Sequence, residues 1–284
     1  FVGGVYSAFS VAENGILLVN ATQGVEVGTE IFARHAVKHQ KPLIIAVNQL
    51  DHEKQDWHAT IDSLKQTFGN KVVLVQYPVN PGTEFDTFID VLKMKMYKFK
   101  DENGTRESFE IPDEYKEEAQ ELHQQLVEMS AENDETLMET FFDKGVLTED
   151  EIRAGMKIGM QMGDILPVFC LSAKKDIGVK RIMEFTINAG IAPDKVDNEL
   201  KDGNTVKVDS NGPTSIFVYK TAQEQHLGDV SYFKVMSGKL TEGMDVVNPE
   251  TGAKERIAQI YAVAGKKREK VTEVMAGDIA CTVK

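Results

Sequence analysis

Two short stretches hold residues whose types and spacing can recognise a purine base. Asn48-Gln49-Leu50-Asp51 directly follows the aliphatic run Leu43-Ile44-Ile45-Ala46-Val47, and Ser172-Ala173-Lys174 directly follows Val168-Phe169-Cys170-Leu171. A carboxylate at Asp51 accepts two hydrogen bonds from an edge that offers a ring N–H beside an exocyclic amine; guanine presents that pair and adenine does not. Asn48 can accept from or donate to the base and tie adjacent loops together. Small residues at Ser172 and Ala173 let a backbone N–H come close to the base carbonyl. An N-x-x-D loop after a strand is also common turn chemistry, so it is the second stretch that sharpens the reading. Two such loops on strand ends of one sheet mark the carboxyl edge where open α/β sheets bind ligands.

The elements that must position them follow from the apolar pattern. Residues 15–20 and 43–47 are short aliphatic runs that read as buried strands. Residues 29–39, with Ile31, Phe32, Ala36 and Val37, suit a helix that ends before Lys41-Pro42, and residues 57–68 suit a second. Strands separated by helices imply βαβ units and a parallel sheet, to which 72–75 can add a strand. Residues 168–171 return to a buried strand, followed by a helix over 178–188.

Charge divides the rest of the chain. Of 284 residues, 32 are Lys or Arg and 45 Asp or Glu, a net charge of −13. Residues 100–163 hold 18 acidic and 6 basic residues and so nearly all of that excess, whereas 201–284 hold 11 and 12. The acidic middle reads as helical. Pro112-Asp113-Glu114 opens a helix with an apolar stripe of Leu122, Leu126 and Met129, and Thr148 with Glu151 forms a capping box opening another. Solvated helix faces are the default reading of this acidity. Polar residues 193–212 read as a linker. Beyond them, short runs at 215–221, 229–236, 245–247, 255–263 and 279–283, separated by glycine turns, indicate a small barrel or sandwich.

Composition sets outer bounds. Hydrophobic residues are 42% and charged residues 27%, enough for a core, and no run approaches a membrane-spanning length. A uniformly basic nucleic-acid coat is excluded. Cys170 and Cys281 are the only cysteines, sit in apolar strands, and fit inert thiols in a reducing cytosol. His35 and His39 have helical metal-ligand spacing but no third ligand nearby, which favours surface histidines. Trp57 and Tyr77 suit packing against the sheet. Lys266, Lys267, Arg268 and Lys270 form a basic cluster between two strands, either a solvated loop or a contact to a phosphate backbone.

In these motifs and their order the chain resembles the translational GTPases, most closely the elongation factor G group. The family's Asn-Lys-x-Asp and Ser-Ala-x/Lys motifs match Asn48 to Asp51 and Ser172 to Lys174. Phe1 and Val2 match the last two residues of its metal-and-phosphate switch. Further likeness lies in Gly24-Val25-Glu26, Ile89 to Lys95, Asp164 to Val168, Gly238-Lys239-Leu240, Lys254 to Ile257 and Ala276 to Ala280. The resemblance implies a P-loop GTPase-type α/β domain lacking its N-terminal phosphate-binding part, an α+β insertion, and an all-β translation-factor barrel. The expected divisions are 1–69 and 166–192 for the GTPase domain, 70–165 for the acidic insertion, 193–212 for the linker and 213–284 for the barrel. A sheet without its first strands is expected to expose apolar surface.

Two departures shape the functional expectation. The 284 residues contain no Gly-x-x-x-x-Gly-Lys-Ser/Thr loop, and no Asp-Thr-Pro-Gly-His stretch with its magnesium and water-positioning groups. No catalytic residue and no metal ligand is therefore assigned. An internal piece, inactive by itself and binding neither nucleotide nor Mg²⁺ tightly, is expected, from a parent that binds GTP or GDP with Mg²⁺ in the cytoplasm. Gln49 stands where the family usually has Lys, which keeps much of the stem and loses the charge. The resemblance implies that the parent promotes ribosomal translocation of tRNA and mRNA, with the insertion facing stalk proteins and the barrel touching ribosomal RNA; no membrane or DNA partner is expected. A release-factor or ribosomal-protection GTPase, and a nucleotide-independent ribosome-binding module, are the alternatives.

Overall fold

A computed structural model describes residues 2–101, 103–199, 203, 205–224, 228–265 and 267–283. They divide into two compact units: residues 14–191, and the described residues up to Glu13 together with those from Ala192 onward. Helix α1 (Val2–Phe9) belongs to the second unit. Phe1 lies outside the described residues.

The 14–191 unit is built on a four-stranded parallel sheet. Its early elements are β1 (Gly15–Asn20), α2 (Val27–Lys38), β2 (Leu43–Asn48), α3 (Trp57–Phe68) and β3 (Val72–Leu74). An antiparallel sheet follows: β4 (Gln76–Pro78), β5 (Thr87–Asp90), β6 (Lys95–Phe99) and β7 (Arg106–Phe109), paired in that order. Three helices come next, α4 (Asp113–Ala131), α5 (Glu135–Lys144) and α6 (Glu149–Met162), then β8 (Leu166–Cys170) and α7 (Val179–Ala189). The parallel order is β1-β2-β8-β3, so Val72–Leu74 joins this sheet and the antiparallel part begins at Gln76.

Local chemistry explains the helix starts. Glu26 and Thr29 form a reciprocal capping box at α2, and Asp56 accepts the Ala59 N–H at 2.9 Å at α3. The expected box at α6 is present: the Glu151 carboxylate accepts the Thr148 N–H at 2.7 Å, and Thr148 Oγ1 accepts the Glu151 N–H at 3.3 Å. In α4, Leu126 is fully buried while Leu122 and Met129 are half-buried. The burial follows α4 around to Ala119, Val127, Ser130 and Ala131.

Strand β2 is buried along both faces, as its continuous aliphatic run requires. Strand β1 departs from the expected double-sided burial: Leu17 and Val19 are buried, but Ile16 is 50% and Leu18 60% exposed. Side chains alternate across a strand, and β1 presents one face to solvent.

The second unit is all-antiparallel apart from α1 and a short 3₁₀ turn at Pro193–Lys195. The stretch read as a linker carries a hairpin, β9 (Asp197–Glu199) with β10 (Thr205–Lys207). Strands this short and polar carry no hydrophobic signal. The remaining strands are β11 (Ser215–Glu224), β12 (Gly228–Ser237), β13 (Lys239–Thr241), β14 (Asp245–Val247), β15 (Lys254–Arg256), β16 (Ile260–Ala264), β17 (Lys267–Val271), β18 (Glu273–Met275) and β19 (Ile279–Val283). A five-stranded sheet β11-β12-β19-β16-β17 and the pairs β13/β18 and β14/β15 surround Phe233, Val235, Leu240, Ile260 and Ala280. The single strand expected over 255–263 is two, interrupted where Ile257 turns into the core. The Lys234 ammonium is buried, donates to the Val11 carbonyl at 2.8 Å and pairs with Glu13, fastening the segment after α1 to β12.

Candidate functional site

Parallel register brings the two motif loops to one edge. Val47 is level with Cys170, so the chain leaves β2 and β8 side by side at their carboxyl ends. The Leu171 N–H donates to the Val47 carbonyl at 2.9 Å and the Leu50 N–H to the Leu171 carbonyl at 3.3 Å, which extends the ladder into the loops. Asn48 Oδ1 then accepts the Ala173 N–H at 3.0 Å. The Asn48 side chain thus ties the two loops, as its type suggested.

The other motif residues are placed around that tie. Leu50 is fully buried and pins the loop, while Gln49 is exposed in the left-handed region at φ 65°. Asp51 is half-exposed, and its carboxylate has no hydrogen-bond or ion-pair partner among the described residues. Ser172 is buried, exchanging backbone hydrogen bonds with Ile177 at 3.1 and 3.0 Å and accepting the Lys175 N–H on its hydroxyl at 3.3 Å. Ala173 and Lys174 are exposed. Because the Ala173 N–H already reaches Asn48, a base carbonyl would share that donor. The tight return at Ile177-Gly178 depends on a glycine: Gly178 sits at φ 81°, and a Cβ there would lie 2.2 Å from the Cys170 carbonyl oxygen.

Further segments reach this edge without having been singled out from sequence. The Asn48 carbonyl accepts the Ala21 N–H at 2.9 Å, which brings in the loop after β1. The Gly82 N–H donates to the Leu50 carbonyl at 2.7 Å, and the Lys175 ammonium donates to the Thr83 carbonyl at 2.6 Å. Asn80-Pro81-Gly82 reads in sequence as an ordinary turn, so nothing in its composition points to the edge.

The remaining candidates fall elsewhere. Lys267, Arg268 and Lys270 lie on strand β17, not in a loop between strands; Lys266 lies outside the described residues. Arg268 turns inward, pairing with Glu224 and donating to the Tyr232 hydroxyl at 2.8 Å. The bond to Glu224 raises the Arg268 pKa and holds the Glu224 carboxyl below its usual range. Lys270 pairs with Glu242 at 2.8 Å, while Lys267 is exposed. Cys170 and Cys281 are buried, and burial raises both thiols. The His35 and His39 rings sit 4.4 Å apart, and among the described residues no group of three or more His, Cys, Asp or Glu side chains could hold a metal. Trp57 and Tyr77 are both buried. Among the described residues no helix is long and apolar enough to cross a membrane.

Comparison with known proteins finds matches over both units. Residues 1–190 match the elongation factor Tu GTP binding domain, and 213–284 match elongation factor G domain 2. The chain is 32% identical over 292 aligned residues to an elongation factor G of Thermotoga neapolitana, covering all of this chain and 42% of the relative. It is 29% identical to an elongation factor G-like protein of Thermotoga maritima, covering 41% of it. A solved structure from Thermus thermophilus superposes over the whole chain with a TM-score of 0.84 at 26% identity, and the chain covers 40% of it. The chain therefore spans about two-fifths of the length of the proteins it matches.

Proposed function

The chain belongs to the translation elongation factor GTPase family, in its elongation factor G-like branch, and from that premise we propose that its 14–191 unit reads the guanine base of GTP or GDP. Asn48, Gln49, Asp51, Ser172, Ala173 and Lys174 are the residues assigned to that base. The observation that supports this most is the bond from the Ala173 N–H to Asn48 Oδ1, which holds both motif loops at one sheet edge beside a half-exposed carboxylate. Asp51 would accept from the guanine ring N–H and amine, and the Ser172-Ala173-Lys174 backbone would donate to the base carbonyl. Buried Leu50 and Ser172 limit the movement of both loops, so their donors and acceptors are arranged before the base arrives.

The residues present fit the base and not the metal. A magnesium ion in this family lies with the phosphates, and the 284 residues lack the Gly-Lys-Ser/Thr loop whose hydroxyl would hold it. No hydrolytic step is therefore assigned to this chain.

For the longer protein we propose GTP-dependent translocation of tRNA and mRNA on the ribosome, in the cytoplasm. Helices α4 to α6 expose most of the acidic excess and are assigned to contact with stalk proteins. The β17 cations, Lys267 first, are assigned to the ribosomal RNA backbone; Arg268 would have to release Glu224 to take part. Such contacts weaken with salt and carry little sequence information.

The experiment is an amide-resolved NMR titration of the chain with guanosine monophosphate and, separately, adenosine monophosphate at millimolar concentration. Shifts at 48–51 and 172–174, with the guanine ligand only, are expected. Equal responses to both ligands, or none, would overturn base recognition. The reading would then pass to a nucleotide-independent ribosome-docking module, tested by co-sedimentation.

A further inference from the structure

We propose that the loop at residues 80–85, between β4 and β5, is a third wall of the guanine-recognition edge, set in place by Lys175. The inference rests on the base-recognition reading above and adds residues that the two motifs do not contain. Its basis is a closed circuit of hydrogen bonds. Asn48 Oδ1 receives the Ala173 N–H, Leu50 donates to Leu171, Leu50 receives the Gly82 N–H at 2.7 Å, and Thr83 receives the Lys175 ammonium at 2.6 Å. The 80–85 loop is thus gripped from both motif loops at once, by the Leu50 carbonyl on one side and the Lys175 ammonium on the other.

The loop is also rigid in its own right. Phe85 is completely buried, and its N–H donates to the Gly82 carbonyl at 2.8 Å. The Asn80 amide donates to the Glu84 carbonyl at 2.8 Å and to Asp86 at 3.0 Å, while its oxygen accepts the Thr87 N–H at 3.0 Å. Only Thr83 and Glu84 remain exposed at its tip. A surface loop with its own anchor at each base does not need a lysine from another strand end to hold its fold. The Lys175 contact instead fixes the distance between the tip and the Ser172-Ala173-Lys174 backbone. Lys175 is therefore a positioning residue, acting through Thr83, and it belongs to the loop rather than to the nucleotide phosphates.

The function of such a wall is selectivity. A base held on its hydrogen-bonding edge by Asp51 still slides in its plane unless something closes the side. A rigid backbone tip does this with little conformational entropy to lose.

The test is the same NMR titration with guanosine monophosphate, applied to the chain and to the variants Lys175→Met and Lys175→Arg. The Gly82 and Thr83 amides are expected to shift along with those of 48–51. Lys175→Met should weaken guanosine monophosphate binding about fivefold, the net scale of one ordinary hydrogen bond, because the lost bond is solvent-exposed and acts on the base only through Thr83. Its thermal midpoint should match that of the parent chain, and Lys175→Arg should restore most of the affinity. If 48–51 respond while Gly82 and Thr83 stay still, and Lys175→Met binds like the parent chain, the third wall is wrong and base recognition stands. If 48–51 do not respond at all, both fall. A Lys175→Met variant that loses thermal stability and affinity together, without rescue by Arg, would make Lys175 a folding residue and overturn the proposal.

Discussion

Asp90 and Arg181 form an ion pair with both side chains withdrawn from water, Nε to Oδ2 at 2.6 Å, and it joins the antiparallel sheet to helix α7. Asp90 also accepts the Lys93 N–H at 3.0 Å and lies 3.4 Å from the Gln76 amide, whose oxygen accepts the Cys170 N–H. Burial opposes the charge on Arg181, and Asp90 more than offsets it, so the guanidinium pKa is raised. Removing one partner strands the other charge in the interior. Arg181→Met alone should therefore cost about 3–5 kcal/mol in urea unfolding. The paired change Asp90→Leu with Arg181→Met should cost less than the sum of the single changes. Additive losses would show that the two charges do not depend on each other.

Helices α4 and α6 approach so closely that glycine is required at one point of contact. A Cβ on Gly155 would fall 2.2 Å from the Ser130 carbonyl oxygen, which is backbone and cannot swing away. At Gly159 the obstacle is the end of the Ile165 side chain, at 2.6 Å, together with the Asn133 amide. Gly155→Ala should lower stability by about 1–3 kcal/mol, and Gly159→Ala by less, since Ile165 can change rotamer. Thermal unfolding of the two variants side by side gives the order; a reversal would mean that α4 shifts easily.

These contacts mark where sequence reading stops. The strands that carry the motif loops are legible because aliphatic runs such as Leu43 to Val47 leave few alternatives, and the capping box at Thr148 and Glu151 announces a helix start locally. Strand β1 looked equally buried from its aliphatic content, yet Ile16 and Leu18 face solvent, because a run of apolar residues does not say which faces are covered. The β17 cations give no strand signal in the sequence, because a run of Lys, Arg and Glu has no apolar alternation. The bond from Lys175 to Thr83 spans 92 residues and involves a carbonyl, a group every residue has, so no residue type signals it.

The Glu224–Arg268 pair predicts an acid sensitivity in the β unit. Glu224 titrates below its usual range chiefly because it accepts from Arg268, so the folded state favours its ionised form. The stability this contributes is present above the carboxyl's unfolded pKa and is lost as pH falls through the lower folded value. Unfolding midpoints measured from neutral to acid pH should therefore drop less in Glu224→Gln than in the parent chain. Identical slopes would show that the pair is too solvated to matter.

Asp51 offers a prediction about identity rather than strength. A carboxylate matches two donors, whereas an Asn side chain presents one donor and one acceptor. Asp51→Asn should therefore lose guanosine monophosphate and gain xanthosine monophosphate, whose base places a carbonyl where guanine has its amine. The change sits on a half-exposed loop residue and should leave the unfolding midpoint unchanged. Competition between the two nucleotides, read at the 48–51 amides, distinguishes a swap of preference from a general loss. A general loss would mean that Asp51 shapes the loop without touching the base.

Gln49 is the one motif position where the chain departs from its family, and its geometry makes reversion informative. The residue is exposed with φ at 65°, a backbone strain that Gln and Lys share, so exchanging them leaves the fold's energy nearly untouched. What changes is a positive charge beside the proposed base site. In the longer protein that includes this chain, Gln49→Lys should tighten GDP binding by about three- to tenfold at low salt. If the gain is the charge, it should shrink as ionic strength rises and the Debye length falls below the separation of charge and phosphate. A gain that persists at high salt would instead assign the effect to the longer stem packing on the base. No gain at any salt would mean that Gln49 already supplies what the position contributes, and that this chain's nucleotide affinity is set by Asn48, Asp51 and the Ser172 loop.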